Sequence, residues 1–296
     1  MGADLVASTV GSVMIETAIA RAGQLAALPE VALEVMRVAD DPAATGEDLS
    51  RVLSRDLVLS ARVLKIVNSA YYGVRREVTS IGTAVALLGF GAVKSIAIAA
   101  SLTKMFKSGT VGTTFEAREL WKHSVAVATA SRLLAGRVSG VEPSEAFLAG
   151  LMHDIGIIIE LQACREGLSA VIDAVDADPT LSFRDAELRH LAATHESFGA
   201  ALCVSWRFPA VLQRVTGFHH QPMSVPGVPC VMTAIVHVAD HLAATAEIGY
   251  TRTVERTVIE APVLALLSLT NEMLEGLSAE LLIQVAEVLP LFGGEA

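Results

Sequence analysis

The sequence predicts an all-α protein, an N-terminal helical bundle packed on a C-terminal helical lobe. Apolar residues recur at helical spacing in one segment after another, and no stretch keeps the alternation that a half-buried strand needs. Hydrophobic residues make up 52% of the 296 but aromatics only 5%, so Ala, Leu, Val and Ile must fill the core. Such a core suits closely packed helices better than stacked sheets. A charged share of 18% leaves ample apolar surface to offset backbone ordering, which excludes a disordered chain.

Residues 1–22 read as an extra N-terminal helix, with a loose stripe through Val6, Val10, Val13 and Ala18. Residues 23–106 read as the first lobe. Its first helix carries Val31, Val35 and Val38 and ends at Asp40-Asp41-Pro42, where proline forbids continuation. Thr45 with Asp48 forms a capping-box pattern opening the next helix, through Leu49, Val52 and Leu53. Another begins near Asp56, with Leu59, Val63, Ile66 and Val67. Thr79-Ser80 offers a cap for a helix reaching Leu88, which stops at Gly89-Phe90-Gly91. A last one runs from Val93 to Leu102. Residues 107–114, Lys-Ser-Gly-Thr-Val-Gly-Thr-Thr, read as a polar, glycine-rich linker, and residues 115–296 as the second helical lobe.

Several function classes are disfavoured at once. A formal net charge of −10 opposes a nucleic-acid partner, because such a surface repels phosphates. Cys164, Cys203 and Cys230 are odd in number and lack C-x-x-C spacing, as expected for reduced core thiols in a cytoplasmic protein. The N-terminus lacks the basic region of a signal peptide. Between Arg214 and Asp240 no charged side chain occurs, but Gly217, Pro222, Pro226, Gly227 and Pro229 interrupt it. The stretch therefore reads as a loop entering a buried helix, and no membrane partner is expected.

All eight histidines lie beyond residue 120, which makes the second lobe the chemical one. His123 opens an Ala/Val/Leu-rich helix. His153-Asp154 follows an apolar run and precedes Ile155-Gly156. His195 lies in Thr194-His195-Glu196, His219-His220 precedes Gln221-Pro222, and Asp240 shares a helix face with His237. Imidazole and carboxylate suit Zn, Mn or Fe, and several helices can bring such groups to one point. A lone histidine on an apolar face is ordinarily a hydrogen-bonded core residue. Asp154 and Asp240 raise the stakes, since burying an unpaired carboxylate costs about several kcal/mol. A metal, a protonated histidine or helix-end amides must meet them.

The order His123, His153-Asp154, Asp240 resembles the ligand pattern of HD-domain phosphohydrolases. The first lobe resembles the HDOD (HD-related output domain) family, through Leu28-Pro29, Asp56, Asn68-Ser69-Ala70-Tyr71-Tyr72-Gly73, Val78-Thr79-Ser80-Ile81 and Leu87-Leu88-Gly89. The resemblance covers about residues 20–250. It implies an HD-like second lobe and a metal set of His123, His153, Asp154, His195, His219, His220 and Asp240. That set would hold one or two divalent Fe, Mn or Zn ions, with no organic cofactor. HDOD proteins are regarded as non-catalytic relatives of HD-GYP cyclic-di-GMP phosphodiesterases. Ile157 stands where those enzymes have lysine after H-D-I-G, and no G-Y-P follows His219-His220.

The resulting expectation is a bacterial signal-transduction output module that acts through contacts with signalling proteins and has no catalytic residues. Its alternatives are a metal-dependent phosphohydrolase of a nucleotide or cyclic dinucleotide, and a sensor holding a nucleotide in the HD cleft.

Overall fold

The computed structural model describes residues 11–21, 30–39, 41, 43–106, 109–227, 230–254 and 258–293. Residues 11–21 are helical (α1). They are followed by α2 (Glu30–Ala39), α3 (Gly46–Leu53), α4 (Leu57–Val67), α5 (Ile81–Leu88) and α6 (Phe90–Leu102). The second half contains α7 (Ala117–Ala135), α8 (Pro143–Met152), α9 (Ile155–Ala163), α10 (Arg165–Ala177), α11 (Phe183–His190) and α12 (His195–Ser205). After these come α13 (Ala210–Phe218), α14 (Val231–Thr245), α15 (Ala261–Leu267) and α16 (Asn271–Val288). The all-α expectation holds. Leu28, Pro29 and Pro42 lie outside the described residues.

Local chemistry accounts for the helix starts. Thr45 and Asp48 cap α3 reciprocally, Asp56 accepts from the Leu59 N–H at 2.9 Å, and Ser80 accepts from Thr83 at 3.1 Å. The Asn-Ser signature has a scaffolding role. The Asn68 amide donates to the Val78 carbonyl at 2.8 Å and its oxygen accepts from the Val78 N–H at 2.7 Å, which pins both ends of the loop before α5. Tyr71 and Tyr72 are half-buried in a short 3₁₀ turn.

Three features differ from the sequence reading. α6 begins at Phe90, so Phe90-Gly91 is helix rather than a stop. The linker region holds a two-stranded antiparallel ribbon, β1 (Thr110–Val111) and β2 (Phe115–Glu116). Strands of two residues are too short to show alternation. The cysteines also divide: Cys203 is buried, whereas Cys164 and Cys230 are half-buried.

The buried apolar residues form one connected cluster from Ala18 to Phe292. α6 is apolar nearly all round, with Val93 and every residue from Ser95 to Leu102 buried, and it packs on α2, α4 and α5 as well as on α8. α7 lies at the centre of the second half, against α8, α14 and α16. The run Pro143–Ala163 has the length and apolarity of a membrane span, but 94% of its most apolar window is buried in this core. It is also broken into α8 and α9 at His153-Asp154, and that break positions the candidate site.

Candidate metal centre

The seven expected ligands come from five separate places in the chain and converge. His123 is on α7, and His153 is the C-cap of α8. Asp154 is the N-cap of α9, with φ −96° and ψ 15°, and its side chain caps nothing. His195 opens α12, His219 closes α13 with His220 after it, and Asp240 is on α14. They form two groups whose ligand atoms lie within 4.8 Å of one another: His123, His153 and Asp240, and Asp154, His195, His219 and His220.

The aspartates link the groups. Asp154 Oδ1 lies 3.4 Å from His195 Nε2 and 3.3 Å from His219 Nε2, while its Oδ2 lies 3.2 Å from His153 Nε2. Asp240 Oδ1 lies 2.9 Å from His123 Nε2 and 3.7 Å from His153 Nε2. Both carboxylates and the His123, His153, His195 and His219 side chains are fully buried.

Two glycines make this convergence possible. A Cβ on Gly156 would sit 1.9 Å from the His195 carbonyl oxygen, so only glycine lets the start of α9 press against α12. Gly249 has φ +73°, and a Cβ there would lie 2.3 Å from the Glu119 carbonyl oxygen. Its loop thereby docks on α7, and the Ile248 carbonyl accepts a hydrogen bond from His123 Nδ1 at 3.2 Å.

The proton positions support a cation site. His153 Nδ1 donates to the Gly150 carbonyl at 2.7 Å, His219 Nδ1 to the Thr216 carbonyl at 3.2 Å, and His195 Nδ1 to the Glu187 carboxylate at 2.8 Å. A carbonyl only accepts, so His153 and His219 carry a proton on Nδ1, and all three rings turn Nε2 inward, a lone pair whenever the ring is neutral. There the lone pairs face other acceptors: His195 Nε2 is 3.4 Å from His219 Nε2 and 3.1 Å from His220 Nε2. His153 Nε2, both Asp154 oxygens and Asp240 Oδ2 are buried without a hydrogen-bond partner. So many inward acceptors are mutually repulsive unless protons or metal ions lie among them. The residues fit divalent transition ions, bound by imidazole nitrogen and carboxylate oxygen.

Sequence reasoning named His237 beside Asp240 but missed the other supporting residues. Glu187, fully buried on α11, also accepts the His195 backbone N–H at 3.0 Å and so fixes the ring at both ends. His237, on the Asp240 face, orients rather than ligates: its Nδ1 donates to the His219 carbonyl at 2.7 Å. Glu160, also fully buried, adds a second carboxyl near Glu187. Glu160 was visible as a lone acid in an apolar run, the same signal that marks Asp154. Glu187 sits in Phe-Arg-Asp-Ala-Glu-Leu-Arg-His, which looks solvated.

With protons alone in the centre, electrostatics polarise it. Burial pushes His153 down, but the Asp154 and Asp240 carboxylates outweigh it and hold the imidazole at about 9. Burial pushes Asp240 up, yet the hydrogen bond from His123 and the charge of His153 bring it to about 2. Burial drives Glu160 and Glu187 well above the usual carboxylate range. His153, raised above its ordinary 6.5, adds stability that is complete below 6.5 and lost as pH rises through about 9; the two glutamates act with the same sign. Chelator-treated protein is therefore expected to lose thermal stability from pH 6.5 to 9. Metal-loaded protein should not, because an ion then replaces the proton. A chelated protein whose melting temperature stays level or rises across that window would contradict the buried pairing.

A helical fold that gathers histidines and aspartates from five chain segments defines an HD-like class of protein. The HDOD domain profile matches residues 25–222, and the chain belongs to that family. A proposed phosphohydrolase of Shewanella amazonensis is 28% identical, with a TM-score of 0.71, covering 93% of this chain and 98% of that one. An HDOD domain protein of unknown function from Geobacter sulfurreducens shares the fold at 24% identity and a TM-score of 0.71, covering 94% and 97%. A proposed signal transduction protein of Marinobacter aquaeolei shares it at 21% and 0.77, covering 96% of this chain and 65% of its own. An uncharacterized protein of Treponema pallidum is 24% identical over 201 residues, and the chain spans 38% of that relative's length.

Proposed function

We propose that the chain is a signal-transduction output module whose metal centre senses a phosphate-bearing ligand or steadies the fold, without rapid turnover. The observation that carries this reading is the cleft beside the centre. It measures about 260 Å³, is lined by His220, Gln221, Met223, His237, His241 and Glu260 among others, and none of its described lining residues is Lys or Arg. Ligand pockets ordinarily span ~300–1,000 Å³, so a cyclic dinucleotide is a poor fit. Ile157 is wholly buried in the core and supplies no cation. Divalent ions in the centre would polarise a phosphate oxygen and lower the pKa of a bound water. Fast phosphodiester cleavage also needs donors on the growing phosphate charge, and losing one such contact costs ~10²–10³ in rate.

A second reading, a metal-dependent phosphohydrolase, is favoured by the completeness of the ligand set and the likeness to the Shewanella protein. The two are separated by incubating Mn²⁺- or Fe²⁺-loaded protein with cyclic-di-GMP and with nucleoside mono- and diphosphates, then quantifying products. Turnover below about 0.1 per second is expected, some two decades under a median enzyme. Faster turnover that disappears in His153→Ala protein would replace the regulator by the hydrolase.

A further inference from the structure

A second pocket, of about 190 Å³, lies where α5, α6, α7 and α8 meet. We infer that it binds a small oxyanion of the phosphate class. Arg132 of α7 reaches it with its guanidinium stacked on Tyr71 and Tyr72, Cζ being 4.4 and 4.7 Å from the ring centroids. The stacking fixes the plane of the guanidinium, yet Nη1 is buried and makes no hydrogen bond. Across the pocket the Ser95 hydroxyl is likewise unpartnered, on a residue only 2% exposed. A buried donor left in this state is destabilising, and a ligand oxygen would satisfy it.

Helix geometry points the same way. α6, of 13 residues, and α8, of 10 residues, both begin at this pocket, and neither N-cap, Gly89 or Glu142, makes a side-chain cap hydrogen bond. The two starts are close: a Cβ on Gly91 would lie 3.5 Å from Ser144 Oγ. Two helix N-termini, a guanidinium and two hydroxyls thus surround one space, each favouring negative charge. The opposing group is Glu142, whose carboxylate accepts from the Ser144 hydroxyl at 3.1 Å. It is exposed and free to turn outward when an anion takes that hydroxyl. At ~30 Å³ per water the space equals roughly six waters, enough for orthophosphate and too little for a nucleotide.

The site is separate from the metal centre. α8 runs from the pocket at Pro143 to His153 at its end, about 15 Å at 1.5 Å per residue. An anion held there would join α6 to α7 and α8, a second input to the same fold.

The test is calorimetric titration of the full chain with inorganic phosphate, and separately with a nucleoside monophosphate. Saturable one-to-one phosphate binding is expected, with the nucleotide no tighter. Arg132→Gln should weaken it about tenfold or more, the scale of a charged hydrogen bond. Ala92→Asp should abolish it while the helix persists, because a carboxylate suits the first turn of α6. That variant also decides the matter if Arg132→Gln does not fold. Absence of saturable binding at millimolar phosphate, or binding unchanged in Ala92→Asp, would overturn the inference. So would binding that survives Ala92→Asp and disappears in His153→Ala, since the anion would then belong to the metal centre.

Discussion

Asp154→Ala is expected to leave the purified protein essentially without transition metal. Asp154 faces both ligand groups at short range, His195 and His219 from Oδ1 and His153 from Oδ2, whereas Asp240 reaches the second group only through His220 at 3.9 Å. Removing it takes away negative charge from a fully buried ring of imidazoles, whose repulsion then opposes any entering cation. Residues that only orient a ligand typically contribute 10–100-fold to affinity, so a carboxylate that faces both ligand groups should contribute at least about 100-fold. Glu187→Gln supplies the graded comparison. It keeps the shape beside His195 Nδ1 but weakens the acceptor, and should fall within that ~10–100-fold range. The measurement is metal per chain by elemental analysis, followed by competition with a chelator of known affinity. Wild-type metal content in Asp154→Ala would remove the metal reading for the whole cluster.

The legible parts of this fold are those written in short-range chemistry. Thr45 with Asp48, Asp56 and Ser80 each announce a helix start within four residues, and each does so in the structure. The seven cluster residues stood out because His and Asp in apolar segments demand partners, and their order matched a known pattern. What stayed hidden depends on contacts between distant segments. The polar helix around Glu187 gives no hint that its carboxylate is turned inward toward α12. The stacking of Arg132 on Tyr71 and Tyr72 joins residues some sixty positions apart, across the ribbon between α6 and α7. The ribbon at Val111 and Phe115 is set by burial of those two side chains rather than by strand patterning.

The close approach of α9 to α12 gives the largest expected effect on stability. Gly156 follows the Asp154 cap by two residues and faces the backbone of the partner helix. Its Cβ, if present, would meet the His195 carbonyl oxygen at 1.9 Å and the Gly199 nitrogen at 2.8 Å. Neither obstacle is a flexible side-chain end, so no rotamer change relieves the clash; one helix must move. Overpacking in a rigid core costs ~1–3 kcal/mol, and a backbone-to-backbone collision belongs at or beyond the upper end. Gly156→Ala should therefore lower stability by about 3 kcal/mol or more, read from the midpoint of urea unfolding. The same shift would carry His195 away from Asp154, from 3.4 Å to beyond the distance at which both reach one ion, so bound metal should fall with it. The two readouts separate causes. Lost stability with full metal content would show that α12 moves as a unit with its ligands. Wild-type values for both would mean that α9 and α12 do not pack this closely, and that the geometry drawn around Asp154 is wrong.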